Sequence, residues 1–243
     1  MSIPSFITVR TASTRLNKKC LLPFGDFNVL THIIRRAKFF NLDPYVCTTL
    51  DSSDDIIERI AKKENVSYFR GSTINKLKRW VDCCDYFQIT KFHTVDADDP
   101  FFDGDEMKRS FALLDEGYDM VAPTISSSSG GASVGYSLTR NIIAKACALI
   151  DQDEDTEMMW YYLQKLEGIK EIKLSNFHDY ISPVRLTLDY EEDYWLLKTI
   201  QRVLGNYASR KDVNALFMRN PDLYKINWFR NDEWSDNQKR KKV

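Results

Sequence analysis

The sequence predicts an α/β fold of three layers, with helices on both faces of a mixed, mainly parallel sheet. Two observations carry this. Short β-rich apolar runs alternate with segments of helical period through the first hundred residues. The intervening helical segments are mostly ten residues or longer, the length that a crossover between parallel strands requires. Composition agrees: 43% hydrophobic and 28% charged residues are enough to build a core in a chain of 243 residues.

Phe6–Val9 reads as the first buried strand. Val29–Phe40 follows as an amphipathic helix, with Leu30, Ile33, Ile34 and Ala37 on one face. Tyr45–Leu50 is a second strand. "DSSDDIIERIAKKE" then opens with capping residues and first-turn acids before Ile56, Ile57, Ile60 and Ala61 recur at helical spacing. Val66–Phe69, the helix Ile74–Tyr86, and Phe92–Val95 continue the alternation, and Asp103 opens a helix to Leu114. Further on, Tyr118–Ala122, Val134–Leu138, Ile169–Leu174 and Val184–Leu188 read as strands, and Asn141–Ile150, Glu154–Leu166 and Glu191–Leu204 as helices. "PTISSSSGGAS", the low-complexity stretch, is either a disordered loop or a mobile lid. The boundaries that follow are a main domain over residues 1–204 and a helical extension over 205–243, ending in a solvated basic tail.

Net charge is −1, which excludes a general nucleic-acid binder and leaves any anion site local. No apolar run reaches membrane-spanning length and no signal pattern opens the chain, so a cytoplasmic protein is expected. Five cysteines without CxxC spacing read as reduced core thiols, with Cys83–Cys84 as a vicinal redox pair the alternative. His32, His93 and His178 have no metal-ligand spacing.

In open parallel sheets ligands lie beyond the C-terminal strand ends, and three motifs fall there. After the first strand comes R-x-x-S-T-R-L-x-x-K, from Arg10 to Lys19. Its guanidinium and ammonium groups suit a polyphosphate, although the loop has no glycine and is no Walker A sequence. The alternative is a solvated basic turn. After the fourth strand, "HTVDADDPFFD" crowds Asp96, Asp98 and Asp99 together, which suits a hard divalent cation or, failing that, an acidic turn and helix cap. "VRLTLDYEEDYWLL" places Asp189 at a strand end as a second metal ligand or an ordinary N-cap. A smaller signal, "FRGS" at 69–72, offers Arg70, Gly71 and Ser72 to a ligand or makes a tight turn.

Together the motifs resemble the cytidylyltransferases of the CMP-Kdo and CMP-sialic acid synthetase group, most of all the spore-coat polysaccharide type. Arg10, Ser13, Thr14, Arg15, Leu16, Lys19 and Leu21 match that family's R-x-G-S-T-R-L-P-G-K-x-L. Phe69–Ser72 match its F-R-G-S, Ala97–Pro100 its G-D-x-P, and Arg185–Asp189 with Glu192 and Asp193 its R-L-T-V-D-x-x-E-D. The tail "NPDLYKINWFRNDEW" is similar to the family's N-P-x-L-x-x-I-N ending. Ala12, Asn17–Lys18 and Ala97 depart from family glycines and proline, and Thr156–Glu157–Met158 stand where the family often has Arg-Glu-His.

The resemblance implies the Rossmann-like nucleotide-diphospho-sugar transferase fold and transfer of CMP from CTP, or another nucleoside triphosphate, to a sugar acid or sugar phosphate. It implies Arg15, Lys19 and Asp98 as catalytic residues, and Arg10, Thr11, Ala12, Ser13, Thr14, Arg70, Gly71, Ser72, Asp96 and Glu157 as substrate-binding ones. Mg²⁺ would sit on Asp98 and Asp189. Asp96 would help deprotonate a hydroxyl nucleophile or stand behind the ligands. A homodimer is an expectation the residues themselves do not specify. Two rivals remain at this level: a nucleotide-binding homologue without turnover, and a glycosyltransferase using Asp96-Ala97-Asp98 with a nucleotide sugar.

Overall fold

The computed structural model describes residues 3–151, 154–175 and 183–240, the last three by backbone alone. His178 therefore lies outside the described residues. Strand β1 (Ile3–Thr8) leads through a long loop and a small hairpin of β2 (Pro23–Phe24) and β3 (Phe27–Asn28) into helix α1 (Val29–Phe39). Then come β4 (Leu42–Thr49), α2 (Asp55–Lys63), β5 (Ser67–Gly71), α3 (Lys76–Phe87), β6 (Lys91–Asp96) and α4 (Gly104–Leu113). The second half supplies β7 (Met120–Ala122), β8 (Ser137–Thr139), α5 (Arg140–Cys147), α6 (Met159–Leu163) and β9 (Glu171–Lys173), and ends with α7 (Glu191–Leu204), α8 (Arg210–Arg219) and α9 (Arg230–Arg240).

The sheet order is β5-β4-β1-β6-β8-β7-β9. β5, β4, β1 and β6 are parallel, and β8 runs antiparallel to both its neighbours. Side chains alternate across a strand, so Phe6 enters one core and Ile7 the other. The first core contains Trp80, Phe92, Ile143 and Leu163 beneath α3, α5 and α6. The second contains Leu30, Ile33, Ile57, Leu197 and Val213 beneath α1, α2, α7 and α8. The expected three-layer, mainly parallel architecture is the one observed. Among the described residues, no helix is long and apolar enough to cross a membrane.

Three expectations are corrected. Val184–Leu188 joins no sheet: Leu186 N–H donates to Gly130 O and Leu188 N–H to Asp98 O, so the segment bridges two loops at the site. The helix expected over 154–166 shrinks to α6, because Thr156 is held by Asn75 and by the Leu77 amide and the chain turns there. The strand at Val134–Leu138 begins at Ser137. Gly135 approaches Thr94 so closely that a Cβ would come 2.2 Å from its carbonyl oxygen, and its N–H turns to His93 instead of a ladder.

Two histidines are buried neutral groups. His32 shares a hydrogen bond with Pro100 O and His93 with Ser137 Oγ. Burial pushes His32 down to about 4 and His93 down to about 3. With the folded values below the unfolded one of roughly 6.5, the unfolded chain binds more protons in that interval, so acid removes stability. The unfolding temperature is expected to fall steadily from pH 7 to pH 5. A flat profile over that range would show that these rings do not limit acid stability.

Candidate active site

The long loop after β1 leaves the C-terminal edge of the sheet and turns back through Lys18, which has φ 49°. That is left-handed backbone, costly for a residue with a Cβ. Lys18 stands where the motif this loop resembles carries glycine, the residue that takes such a φ without strain. This turn brings Lys19 into the space between the ends of β6 and the 184–189 segment.

Lys19 Nζ lies 2.6 Å from Asp98 Oδ2 and 2.9 Å from Asp189 Oδ1. Arg15 reaches the same Asp189 oxygen at 2.5 Å. Burial works to lower the lysine's pKa, but Asp98 and Asp189 outweigh it and hold the ammonium above its ordinary range. Burial likewise works to raise Asp189, and Lys19 and Arg15 outweigh that to keep it ionised. Burial raises Asp98 despite Lys19, with Asp189 and Asp96 adding repulsion. Asp189 is not the helix cap: Asp193 takes that work, accepting the backbone N–H groups of Asp189 and Tyr190 on one oxygen. Arg185 grips Asp193 through Nε and Nη2, both side chains fully buried.

Asp96, Asp98 and Asp99 present carboxylate oxygens all within 4.8 Å of one another, a donor set of the hard, anionic kind that divalent cations take. Asp99 is driven well upward by burial and by its two acidic neighbours. Asp96 is matched by Lys76 at 2.9 Å, a lysine 5% exposed at the first turn of α3. Burial acts to lower Lys76 and is outweighed by Asp96 and Glu157. Sequence reading missed this lysine. Its signal was a cation on the helix face that also carries Trp80 four residues on, with Nζ 5.1 Å from that ring.

Around these groups opens a cleft of about 960 Å³, roomy enough for a nucleotide with a sugar. Arg10, Ala12, Ser13, Thr14, Arg15, Lys19, Asp96, Asp98, Glu157 and Asp189 all line it, so most of the residues singled out in the sequence meet in one place. Arg10 and Glu157 are 3.3 Å apart, joining the first loop to the segment before α6. Thr11 is elsewhere: it is 3% exposed and bonded to Asp54. Arg70, Gly71 and Ser72 are not among the lining residues. Arg70 spends its guanidinium on Thr49 O, Asp51 O, Asp55 and Glu58, and Ser72 receives the Asn75 amide. The serine-rich stretch is a compact turn, with the Ser127 hydroxyl donating to Val134 O and receiving the Ser133 and Val134 amides. The C-terminal helix adds a wall of Trp234, Ser235 and Asn237 that no local pattern disclosed.

No protein-family model matches the chain. Spore coat polysaccharide biosynthesis protein SpsF of Bacillus subtilis is 28% identical over 237 residues, covering 89% of this chain and 94% of that protein. A cytidylyltransferase structure from Leptospira borgpetersenii superposes with a TM-score of 0.80 at 29% identity, over 92% of this chain and 96% of that one. This chain is similar to cytidylyltransferases over nearly its whole length. The structure of CMP:2-keto-3-deoxy-manno-octonic acid synthetase complexed with CTP shares this chain's fold, with a TM-score of 0.63 at 13% identity over 84% and 99% of the two chains. Lys19, Asp98 and Asp189 lie at the C-terminal strand edge, where ligands of such sheets bind.

Proposed function

We propose that the protein transfers CMP from CTP to a sugar acid or sugar phosphate with release of pyrophosphate, supplying precursors for a surface polysaccharide or glycan. One observation carries the reading: two carboxylates, Asp98 and Asp189, converge on the Lys19 ammonium with Arg15 alongside. That cluster alternates charges in a way a triphosphate and its cation can enter. The phosphates would displace the carboxylates from Arg15 and Lys19, and the freed carboxylates suit a hard divalent cation, Mg²⁺ in this reading. Bound there, the ion would neutralise phosphate oxygens as pyrophosphate leaves.

In this reading Arg15 and Lys19 hold the β- and γ-phosphates by charge-assisted hydrogen bonds. Arg10 and Ser13 lie nearer the nucleoside, and Glu157, tied to Arg10, couples that side to the acceptor. The acceptor oxygen attacks the α-phosphorus in line. Asp96, paired with Lys76, would receive a proton from an acceptor hydroxyl. The SpsF likeness favours an acceptor from polysaccharide synthesis, and the CTP-bound synthetase favours cytosine.

The test is pyrophosphate release on mixing the protein with Mg²⁺, each nucleoside triphosphate in turn, and a panel of sugar acids and sugar 1-phosphates. CTP with one acceptor class is expected to give turnover. Asp98→Asn, which keeps shape and removes charge, is expected to lower it by about 10³-fold or more with the fold intact. Release with ATP or GTP alone would refute the cytidylyl assignment, and full activity in Asp98→Asn would refute the site.

A further inference from the structure

The loop that meets the phosphates is fixed from behind by a residue outside the cleft. Asp54, at the end of the short turn Ser52–Asp54, is 1% exposed. One carboxylate oxygen accepts both the Thr11 N–H and the Thr11 hydroxyl at 2.7 Å. The other accepts the Thr49 hydroxyl, from the end of β4, at 2.5 Å. The adjoining Thr49 carbonyl receives Arg70 Nε, which is how the "FRGS" segment bears on the site without lining it. Asp54 thus joins the loop after β1 to the neighbouring strand end through neutral donors.

The geometry has a consequence for binding. Thr11 is turned inward and absent from the cleft wall, whereas Ala12, Ser13, Thr14 and Arg15 line it. A loop without glycine has few backbone shapes, and the one adopted depends on where its first residues are held. Asp54 supplies that hold at both the amide and the side chain of one residue. A carboxylate suits the task because it only accepts, and three donors converge on its two oxygens.

We infer that Asp54 is a positioning residue for the triphosphate: it never touches the nucleotide, but fixes Thr11 so that residues 12–15 meet the phosphates in a preformed shape. The inference rests on the reading that this loop binds phosphates, and it is independent of which base or acceptor is used. Loss of such an anchor lets the loop sample other shapes, and misplacement on the ångström scale is expensive in binding and catalysis.

Calorimetry with two probes tests it, CTP with Mg²⁺ and inorganic tripolyphosphate with Mg²⁺. Asp54→Ala is expected to raise the dissociation constant of both by at least about tenfold, and kcat/KM for CTP is expected to fall with it. Thr11→Val, which keeps the volume and loses the hydroxyl, is expected to weaken both probes in the same direction, and Thr11→Ser to restore parental affinity. Thermal unfolding is followed on every variant. Unchanged affinity in the folded Asp54→Ala and Thr11→Val proteins, with only the melting temperature lowered, would overturn the inference and leave a purely structural contact. A parent that binds tripolyphosphate but does not prefer CTP would refute the cytosine reading while the Asp54 effect stands. A parent that binds neither probe would overturn the phosphate reading and this inference together.

Discussion

Lys19→Met is expected to lower nucleotidyl transfer by about 10²–10³-fold, because the ammonium that balances Asp98 and Asp189 is also the group proposed to hold the leaving phosphates. Its second effect is on stability. Asp189 is 2% exposed, and removing a partner from a buried charge usually costs about 3–5 kcal/mol. Arg15 remains at 2.5 Å to offset part of this. The variant should therefore melt below the parent without divalent ions and recover more than the parent does when millimolar Mg²⁺ is added. Differential scanning fluorimetry with and without Mg²⁺, beside the pyrophosphate assay, checks both effects. Parental turnover would remove Lys19 from the chemistry. An unchanged melting temperature would mean that Arg15 alone suffices to hold Asp189.

The largest loss of stability is expected from Asp193→Ala. Its two oxygens accept five hydrogen bonds: two from Arg185, two from the Asp189 and Tyr190 amides, and one from Asn227. Arg185 and Asp193 are both fully buried, so the substitution leaves the guanidinium only the more distant Asp189 carboxylate, 3.6 Å away. A loss of roughly 3–5 kcal/mol follows, on the order of 10 °C in melting temperature for a chain of this size. Asp189 sits on the same strut, so activity should fall in the folded fraction as well. Chemical denaturation at 25 °C gives the free energy directly, and a loss below about 1 kcal/mol would show that Arg185 finds another partner.

This strut explains a motif that sequence reading took as one unit. In "RLTLDYEED", Arg185 and Asp193 form a structural clamp, whereas Asp189 between them faces Lys19 and Arg15. Asn227, from the "NPDLYKIN" tail, closes the clamp by donating to Arg185 O and to Asp193. The tail likeness thus has a physical basis in the core of the site.

Local chemistry alone determined a good deal of this protein. Period-2 and period-3.6 patterns marked most strands and helices of the first hundred residues, since each depends on neighbours a few residues away. The cations of residues 10–19 and the acids of 96–99 were visible as clusters for the same reason. Tertiary structure decided which charges meet. Lys76 finds Asp96 across 20 residues, Asp54 finds Thr11 across 43, and Arg15 finds Asp189 across 174. Each meeting depends on β1 lying between β4 and β6, and on the 184–189 segment lying outside the sheet and bridging two loops. Arg70 shows the converse: its motif was legible, but Asp55 and Glu58 one helical turn apart on α2 claim its guanidinium and turn it from the cleft. Strand order and burial set such partnerships through the whole chain's packing, and no window of sequence contains both ends of them.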